Sequence, residues 1–322
     1  MAKQKILITG ATGFVGRAVC YALIARGYEV QILLRDPLGV SKIPVTLGAS
    51  IIMGSLGDET SLAVACVGMD CVLHLAGMAH AGRALEQQAM DTNLGGTQNL
   101  LVAAIKANVG RLVFLSSSLA EAASNERGDI TAYGKSKLQA ERLLQEAARA
   151  GQIEVSILRS VNVYGPGMKG NIARMIAMIE KGRLPPLPKI NNKISLVSVQ
   201  DLASALILAV ESTNTCKSPI AVTDGQHYSI AELEQAIYRA LGRPKPRWRM
   251  PRILVYFASL LAGLISKFTV SGGSISVRTY RNLTSDNLFS NSMAKKELGF
   301  EPSTTFYQNL PAMVRWIRDN PQ

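Results

Sequence analysis

Residues 5–9, Lys-Ile-Leu-Ile-Thr, run straight into Gly10-Ala11-Thr12-Gly13-Phe14-Val15-Gly16. The segment Ala18–Arg26 that follows reads as a helix and closes on Gly27. This order of strand, glycine-rich turn and helix constrains the chain more than any other feature, because it starts a β-α-β unit and leaves few folds open. The glycines allow a tight turn and close backbone approach, and the amides and positive dipole at a helix N-terminus make a site for an anion. A G-x-x-G-x-x-G pattern in that position points to the pyrophosphate of a dinucleotide.

The rest of the first half continues the alternation. Apolar runs at Glu29–Leu34, Ala49–Met53, Cys71–Leu75, 111–115 and 154–158 are separated by helical stretches near Thr60–Cys66, at 93–107 and from Tyr133 to Arg149. Strands alternating with helices in this way predict a parallel sheet covered on both faces. After Gly165-Pro166-Gly167 the order changes. A Met/Ile-rich helix at 171–181, a proline-rich loop at Leu184–Lys189, a strand near 194–199, a helix from Asp201, a strand at Ile220–Thr223 and a helix from Ser229 to Leu241 read as excursions from the sheet. The expected organisation is one domain over 1–165 with return segments near 193–222, and a smaller one assembled from 166–192 and 223–322.

Composition narrows the class. With 48% hydrophobic and 18% charged residues, the 322-residue chain is globular, which excludes disordered and fibrous types. The net charge of +12 is uneven: residues 1–160 carry 15 Lys/Arg against 13 Asp/Glu, and residues 161–322 carry 20 against 10. The second half should therefore meet something anionic. Four cysteines (Cys20, Cys66, Cys71, Cys216) without a CxxC pair, and only three histidines, suggest no disulfide framework and no metal site, and fit a reducing cytoplasm. The N-terminal apolar run is too short for a signal-peptide core. The longest apolar stretch, Ile253–Ile265, is short of the roughly 20 residues a bilayer span needs, so a soluble cytoplasmic chain is expected.

Two further features carry chemistry. The strand ending Leu33-Leu34-Arg35-Asp36-Pro37 places Arg35 where dinucleotide-binding folds recognise the ribose. An acid there binds the free hydroxyls of NAD and an Arg accommodates the 2′-phosphate of NADP, so Arg35 favours NADP over NAD unless Asp36 takes the ribose. Downstream, the strand ending Ser116-Ser117-Ser118 precedes Tyr133-Gly134-Lys135-Ser136-Lys137. The i, i+4 spacing puts Tyr133 and Lys137 on one helical face. A phenol of ordinary pKa about 10 is a poor base at neutral pH, but a neighbouring ammonium favours its phenolate. A serine at the strand end can hydrogen-bond a substrate oxygen.

These motifs, together with Asp70–Gly77 (DCVLHLAG), Asp91–Thr97 (DTNLGGT), Leu158–Gly167 (LRSVNVYGPG), Leu196–Asp201 (LVSVQD) and Lys295–Pro302 (KKELGFEP), resemble the extended short-chain dehydrogenase/reductase superfamily in its nucleotide-sugar epimerase/dehydratase branch. The resemblance covers nearly the whole chain. It implies an α/β fold, a Rossmann-type doubly wound parallel sheet with a smaller C-terminal mixed α/β substrate domain. It also implies Tyr133 as acid/base, Lys137 as its pKa-lowering and ribose-binding partner, and Ser118 as the hydroxyl that orients the sugar oxygen. Gly10, Thr12, Gly13, Phe14, Val15 and Gly16 would cradle the dinucleotide, Leu75, Ala76 and Gly77 would line the nicotinamide side, and Asn93 would support that site. Asn162 would contact the substrate diphosphate, with His80 and Arg281 as further substrate contacts. One departure concerns Gly54-Ser55-Leu56, which stands where members often carry Gly-Asp-Leu or Gly-Asp-Ile, so Ser55 and Leu56 must meet the adenine differently.

Within the branch, dehydratases follow the strand-end hydroxyl with Asp-Glu, and this chain has Leu119-Ala120. That points to 4-epimerisation or 4-keto reduction of a UDP- or dTDP-hexose in bacterial polysaccharide biosynthesis, with a homodimer as the expected assembly and no metal. The competing readings are an NADP-dependent reductase of a hydrophobic ketone, disfavoured by Asn162 and the basic second half, and a non-catalytic NADP sensor, disfavoured by the retained Tyr/Lys pair. His74 and the Met residues of 171–181 are read as core. Arg243–Arg252 holds five cations and no acid beside Trp248 and leads into Ile253–Ile265. It is expected to be a solvated basic loop, with a weak contact to an anionic membrane surface as the alternative. No nucleic-acid partner is expected, since no recognition fold accompanies the charge.

Overall fold

The computed structural model describes residues 4–43, 48–78, 86–125, 131–188, 192–212, 218–251 and 286–320. The first segment gives strand β1 (Lys5–Thr9), helix α1 (Phe14–Ala25), β2 (Glu29–Leu34), a short 3₁₀ turn (Pro37–Lys42), β3 (Ser50–Met53), α2 (Glu59–Cys66) and β4 (Cys71–His74). Then come α3 (Glu86–Met90), one π turn (Asp91–Gly95), α4 (Gly96–Lys106), β5 (Arg111–Ser117), α5 (Ser118–Ser124), α6 (Ala132–Arg149), β6 (Glu154–Ser160) and β7 (Asn162–Tyr164). The chain continues through α7 (Asn171–Glu180), β8 (Lys193–Ser198), α8 (Val199–Glu211), β9 (Ile220–Val222), β10 (His227–Ser229), α9 (Ile230–Ala240), α10 (Ser292–Leu298) and α11 (Phe306–Asp319).

Seven strands form one sheet in the order β3-β2-β1-β4-β5-β6-β9, and each neighbouring pair is parallel. The central strands read as continuous apolar runs because both faces are covered. Leu7, Leu33, Val72, Leu112 and Phe114 join one core with Leu62 of α2, Leu100 of α4 and Leu144 of α6. Their alternate neighbours Ile6, Ile32, Leu73 and Val113 are equally buried, on the side where α1 packs against α8. The chain order reverses direction between β1 and β4, which opens a crevice at the carboxyl ends of those strands.

The polypeptide divides into two compact units, Met1–Val161 with Val199–Val222 and Ser290–Glu301, and Asn162–Ser198 with Thr223–Phe289 and Pro302–Gln322. The sequence expectation gave residues 162–165 and 193–198 to the first domain, although they lie in the second unit with β7 and β8, and gave residues 290–301 to the second domain. The structure places these last in the first because Ala294, Leu298 and Phe300 are buried there and α10 packs on α8 and β9. The second unit has a three-stranded sheet, β10-β8-β7. Its core holds buried Asp224, whose Oδ2 accepts from the hydroxyls of Tyr164 (3.0 Å) and Tyr228 (2.7 Å). Burying a carboxylate requires such partners.

Two of the five cations of the basic segment are structural. Lys245 (3.1 Å) and Arg249 (2.7 Å) both pair with Glu234, which is 1% exposed. Trp248 is exposed, and Arg252 and Ile253–Ile265 lie outside the described residues. No helix among the described residues is long and apolar enough to cross a membrane.

Candidate active site

The glycine-rich turn closes through Gly13 N donating to Gly10 O (3.0 Å), and Gly10 sits at φ +78°, a left-handed conformation that glycine adopts without strain. A Cβ on Gly10 would lie 2.6 Å from Ala76 N, so the turn touches the loop after β4. Helix α1 opens at Gly13 without a side-chain cap and without an acid in its first turn. Helices usually satisfy those first amides with Ser, Thr, Asp or Asn. Here they stay available to a ligand, which is the arrangement a pyrophosphate needs.

The other expected dinucleotide residues stand at the ends of neighbouring strands. Arg35 is exposed just beyond β2, and Asp36 Oδ1 accepts from Leu38 N (3.0 Å), capping the 3₁₀ turn. Ser55 and Leu56 follow β3, with Ser55 N donating to Ser61 Oγ (3.3 Å) and Asn99 Nδ2 to Leu56 O (3.0 Å). Thr12, Phe14 and Val15 are half-buried in the turn and at the start of α1. Leu75 N donates to Thr9 O (3.1 Å), which fixes the stretch Leu75–Gly77 beside β1.

Gly77 leads to the reactive side chains, because a Cβ there would lie 3.2 Å from both Asn93 Oδ1 and Lys137 Nζ. Asn93 belongs to the π turn, a distortion that often marks a functional position. Its Oδ1 accepts from Met78 N (2.8 Å) and its Nδ2 donates to Ser136 Oγ (3.0 Å), so it ties the loop after β4 to α6.

Helix α6 is capped by Thr131, whose Oγ1 accepts from Gly134 N (2.7 Å). A Cβ on Gly134 would lie 2.5 Å from Leu119 O, so the glycine lets α6 approach α5 closely. Lys137 is 3% exposed; its Nζ donates to Leu115 O (3.0 Å) and lies 4.3 Å from the centre of the Phe114 ring. Burial brings this ammonium down to about 8, against the opposing charge of Glu141. Burial pushes the Tyr133 phenol up to about 12, and a hydrogen bond with the Ser117 side chain acts the other way.

The serine that acts on the Tyr133 phenol is Ser117, the neighbour of Ser118, which the resemblance singled out. Strand β5 runs on to Ser117, which caps α5 by accepting from Leu119 N (3.2 Å), while Ser118 is buried as the first residue of that helix. Sequence reasoning also passed over Glu141 and Arg159. Arg159 donates to Glu141 through Nε (3.0 Å) and Nη2 (2.7 Å) and to Glu121 through Nη1 (3.0 Å).

His74 is buried and bonded on both ring nitrogens. Thr97 Oγ1 donates to Asn93 O (2.5 Å), so it accepts from His74 Nε2 (3.0 Å), and Thr9 Oγ1 (2.7 Å) donates to Nδ1. Burial, helped by the Lys137 charge, pushes this imidazole down to about 3, so it stays neutral and holds β1, β4 and the start of α4 together. Asn162 is exposed on β7 in the second unit. His80 and Arg281 lie outside the described residues.

The family model described as the NAD dependent epimerase/dehydratase family matches residues 6–231. The UDP-glucose 4-epimerase of Vibrio cholerae is 27% identical, over 95% of this chain and 93% of its own. The 3-beta-hydroxysteroid dehydrogenase of Mycolicibacterium neoaurum is 25% identical, over 98% and 92%. Among solved structures, the Bordetella bronchiseptica enzyme WbmG in complex with NAD and UDP shares the fold with a TM-score of 0.76 at 20% identity, covering 99% of this chain and 95% of that one.

Proposed function

The chain belongs to the NAD dependent epimerase/dehydratase family, and on that premise we propose that it is a nucleotide-sugar 4-epimerase or 4-keto-6-deoxy-sugar reductase of polysaccharide biosynthesis. The observation that carries the reading is the convergence of Tyr133, Ser117 and Lys137 beside the loop after β4, in line with the open amides of α1 at the same end of the sheet. The dinucleotide, when bound, supplies the hydride that moves to or from C4 of the sugar.

The protein's own residues handle the proton and the positioning. Tyr133 passes a proton to the C4 oxygen when a ketone is reduced and takes it back when an alcohol is oxidised. Ser117 donates a hydrogen bond to that oxygen, and Lys137, one helical turn from Tyr133 on α6, is assigned the part of an ammonium that favours the phenolate against the burial that raises the phenol. Gly77 leaves Lys137 Nζ open to a ribose hydroxyl as well. Elimination of water lacks an acid/base pair, since Leu119 and Ala120 follow the serines and Glu121, the next carboxylate, is held by Arg159.

Arg35 supports NADP(H) as the exchangeable cofactor, because Asp36, the competing ribose ligand, is engaged on Leu38 N. The excess of cations in residues 161–322 supports a substrate with a diphosphate over a neutral steroid-like ketone. Hydride balance is the test. Stoichiometric NADPH oxidation with a UDP-4-keto-6-deoxy sugar assigns the reductase, and interconversion of 4-epimers with retained NAD and no net consumption assigns the epimerase. Turnover of a neutral ketone with none of any nucleotide sugar overturns the proposal.

The serine assignment gives a paired prediction. Ser117→Ala should lower kcat by roughly 10-fold to 100-fold, the scale of a charge-assisted hydrogen bond of about 1.5–3 kcal/mol, and Ser118→Ala should lower it far less. Steady-state kinetics of the two variants decides, and the reverse ranking returns the role to Ser118.

A further inference from the structure

Three consecutive residues at the end of β5 are each tied to a different side chain of α6. Lys137 Nζ donates to Leu115 O (3.0 Å), Ser116 Oγ donates to Glu141 Oε1 (2.5 Å), and Ser117 is hydrogen-bonded to Tyr133. The first and third ties belong to the proton-handling pair. The middle one is made by a carboxylate that is 1% exposed.

We propose that Glu141 is a positioning residue for the Tyr133–Lys137 pair, seating the end of β5 on α6 so that Leu115 O stays on Lys137 Nζ. The inference rests on the reading of Tyr133 and Lys137 as the proton-handling pair. Glu141 lies one helical turn after Lys137, the spacing at which opposite charges on a helix meet. Arg159 grips it with two nitrogens and reaches Glu121 of α5 with the third, so α5, α6 and β6 are clamped around the serines. A buried ion pair is a weak source of stability, because an apolar pair of similar volume often does as well. Its place behind the reactive pair is what a positional role explains.

Among the described residues, Glu141 of the same helix acts on Lys137, Lys137 in turn acts on the neutral His74 of β4, and Glu141 is paired with Arg159 of β6, which also holds Glu121 of α5. Glu141 is the one that opposes the burial of the ammonium.

The test reads Lys137 directly, by NMR titration of the full chain labelled at lysine, with the resonance assigned through Lys137→Met. Glu141→Gln keeps the shape and the acceptor for Ser116 while removing the charge. The Lys137 midpoint should fall from about 8 by about one unit, and the alkaline limb of the kcat profile should move with it while KM changes little. Because Glu141→Gln leaves Arg159 without its main partner, the double variant Glu141→Gln/Arg159→Met, which leaves no unpaired guanidinium, serves if the single one does not fold. Its midpoint should fall in the same direction by less. A lowered melting temperature with an unmoved Lys137 midpoint in either variant means a purely structural clamp and overturns the proposal. A moved midpoint in a protein that turns over no nucleotide sugar leaves the positioning role standing and removes the substrate reading instead.

Discussion

Tyr133→Phe should abolish nearly all turnover, with kcat lower by roughly 10²–10⁴-fold, the usual contribution of a positioned proton donor and acceptor. Dinucleotide affinity should hardly change. The variant loses one hydroxyl and keeps the ring, and Ser117 Oγ retains its bond from Leu119 N, so the start of α5 is not disturbed. The amides of α1 and the loop Leu75–Gly77 are also untouched. In the wild-type protein the same chemistry sets the pH dependence. Lys137 is an ammonium below about 8 and a neutral amine above it, and the neutral amine no longer favours the phenolate. Activity should therefore fall as pH rises through that value. Titrating the cofactor by fluorescence beside a turnover assay separates binding from chemistry. Full activity in Tyr133→Phe would remove the tyrosine from the reaction.

The order of strands and helices was legible because each central strand is covered on both faces and each helix pattern is long. The run Glu29–Leu34 and the helix through Tyr133 and Lys137 lie where their periodicity places them. The short strands β7 (Asn-Val-Tyr) and β10 (His-Tyr-Ser) were not, since neither is an apolar run, whereas β9, equally short, was marked by Ile220-Ala221-Val222. The helix expected over 93–107 opens instead with the π turn Asp91–Gly95. That distortion answers to tertiary bonds, Asn93 to Met78 and Ser136 and Thr97 to His74, which local spacing does not encode.

The serine shows the same limit at the site. The spacing Ser118-x-x-Glu121 matches a capping box, which favours a helix start one residue later than the observed one. Glu121 is drawn away to Arg159, from a strand 38 residues on, and the cap falls to Ser117. Nothing in the local spacing marked Glu141 and Arg159 as partners, and only the packing of α6 on β5 and β6 reveals Glu141 as buried and Arg159 as half-buried against it. Motifs that bind a ligand through local backbone geometry were readable, whereas residues that act through a distant partner were not.

Gly16→Ala tests the feature from which everything else was read. A Cβ at Gly16 would sit 2.1 Å from Gly10 O and 2.8 Å from Ala11 Cα, both backbone atoms that no rotamer can move aside. Relief requires α1 to shift away from the turn, and Gly10 has no room to yield, since its own position is already against Ala76 N. Overpacking of this kind costs about 3 kcal/mol. At about 2–4 °C per kcal/mol for a unit of this size, Tm should drop by roughly 6–12 °C. Dinucleotide binding should also be lost, because the first amides of α1 would no longer point where the turn now aims them. Gly13→Ala provides the contrast. Its Cβ would meet only Gly10 O at 3.2 Å, so that variant should melt close to the wild type and weaken the dinucleotide alone, by crowding the approach to the open amides. Calorimetry and cofactor titration of the two variants separate a glycine that the fold needs from one that the ligand needs. Equal melting temperatures in both would mean that the turn is not the rigid element from which α1 is aimed.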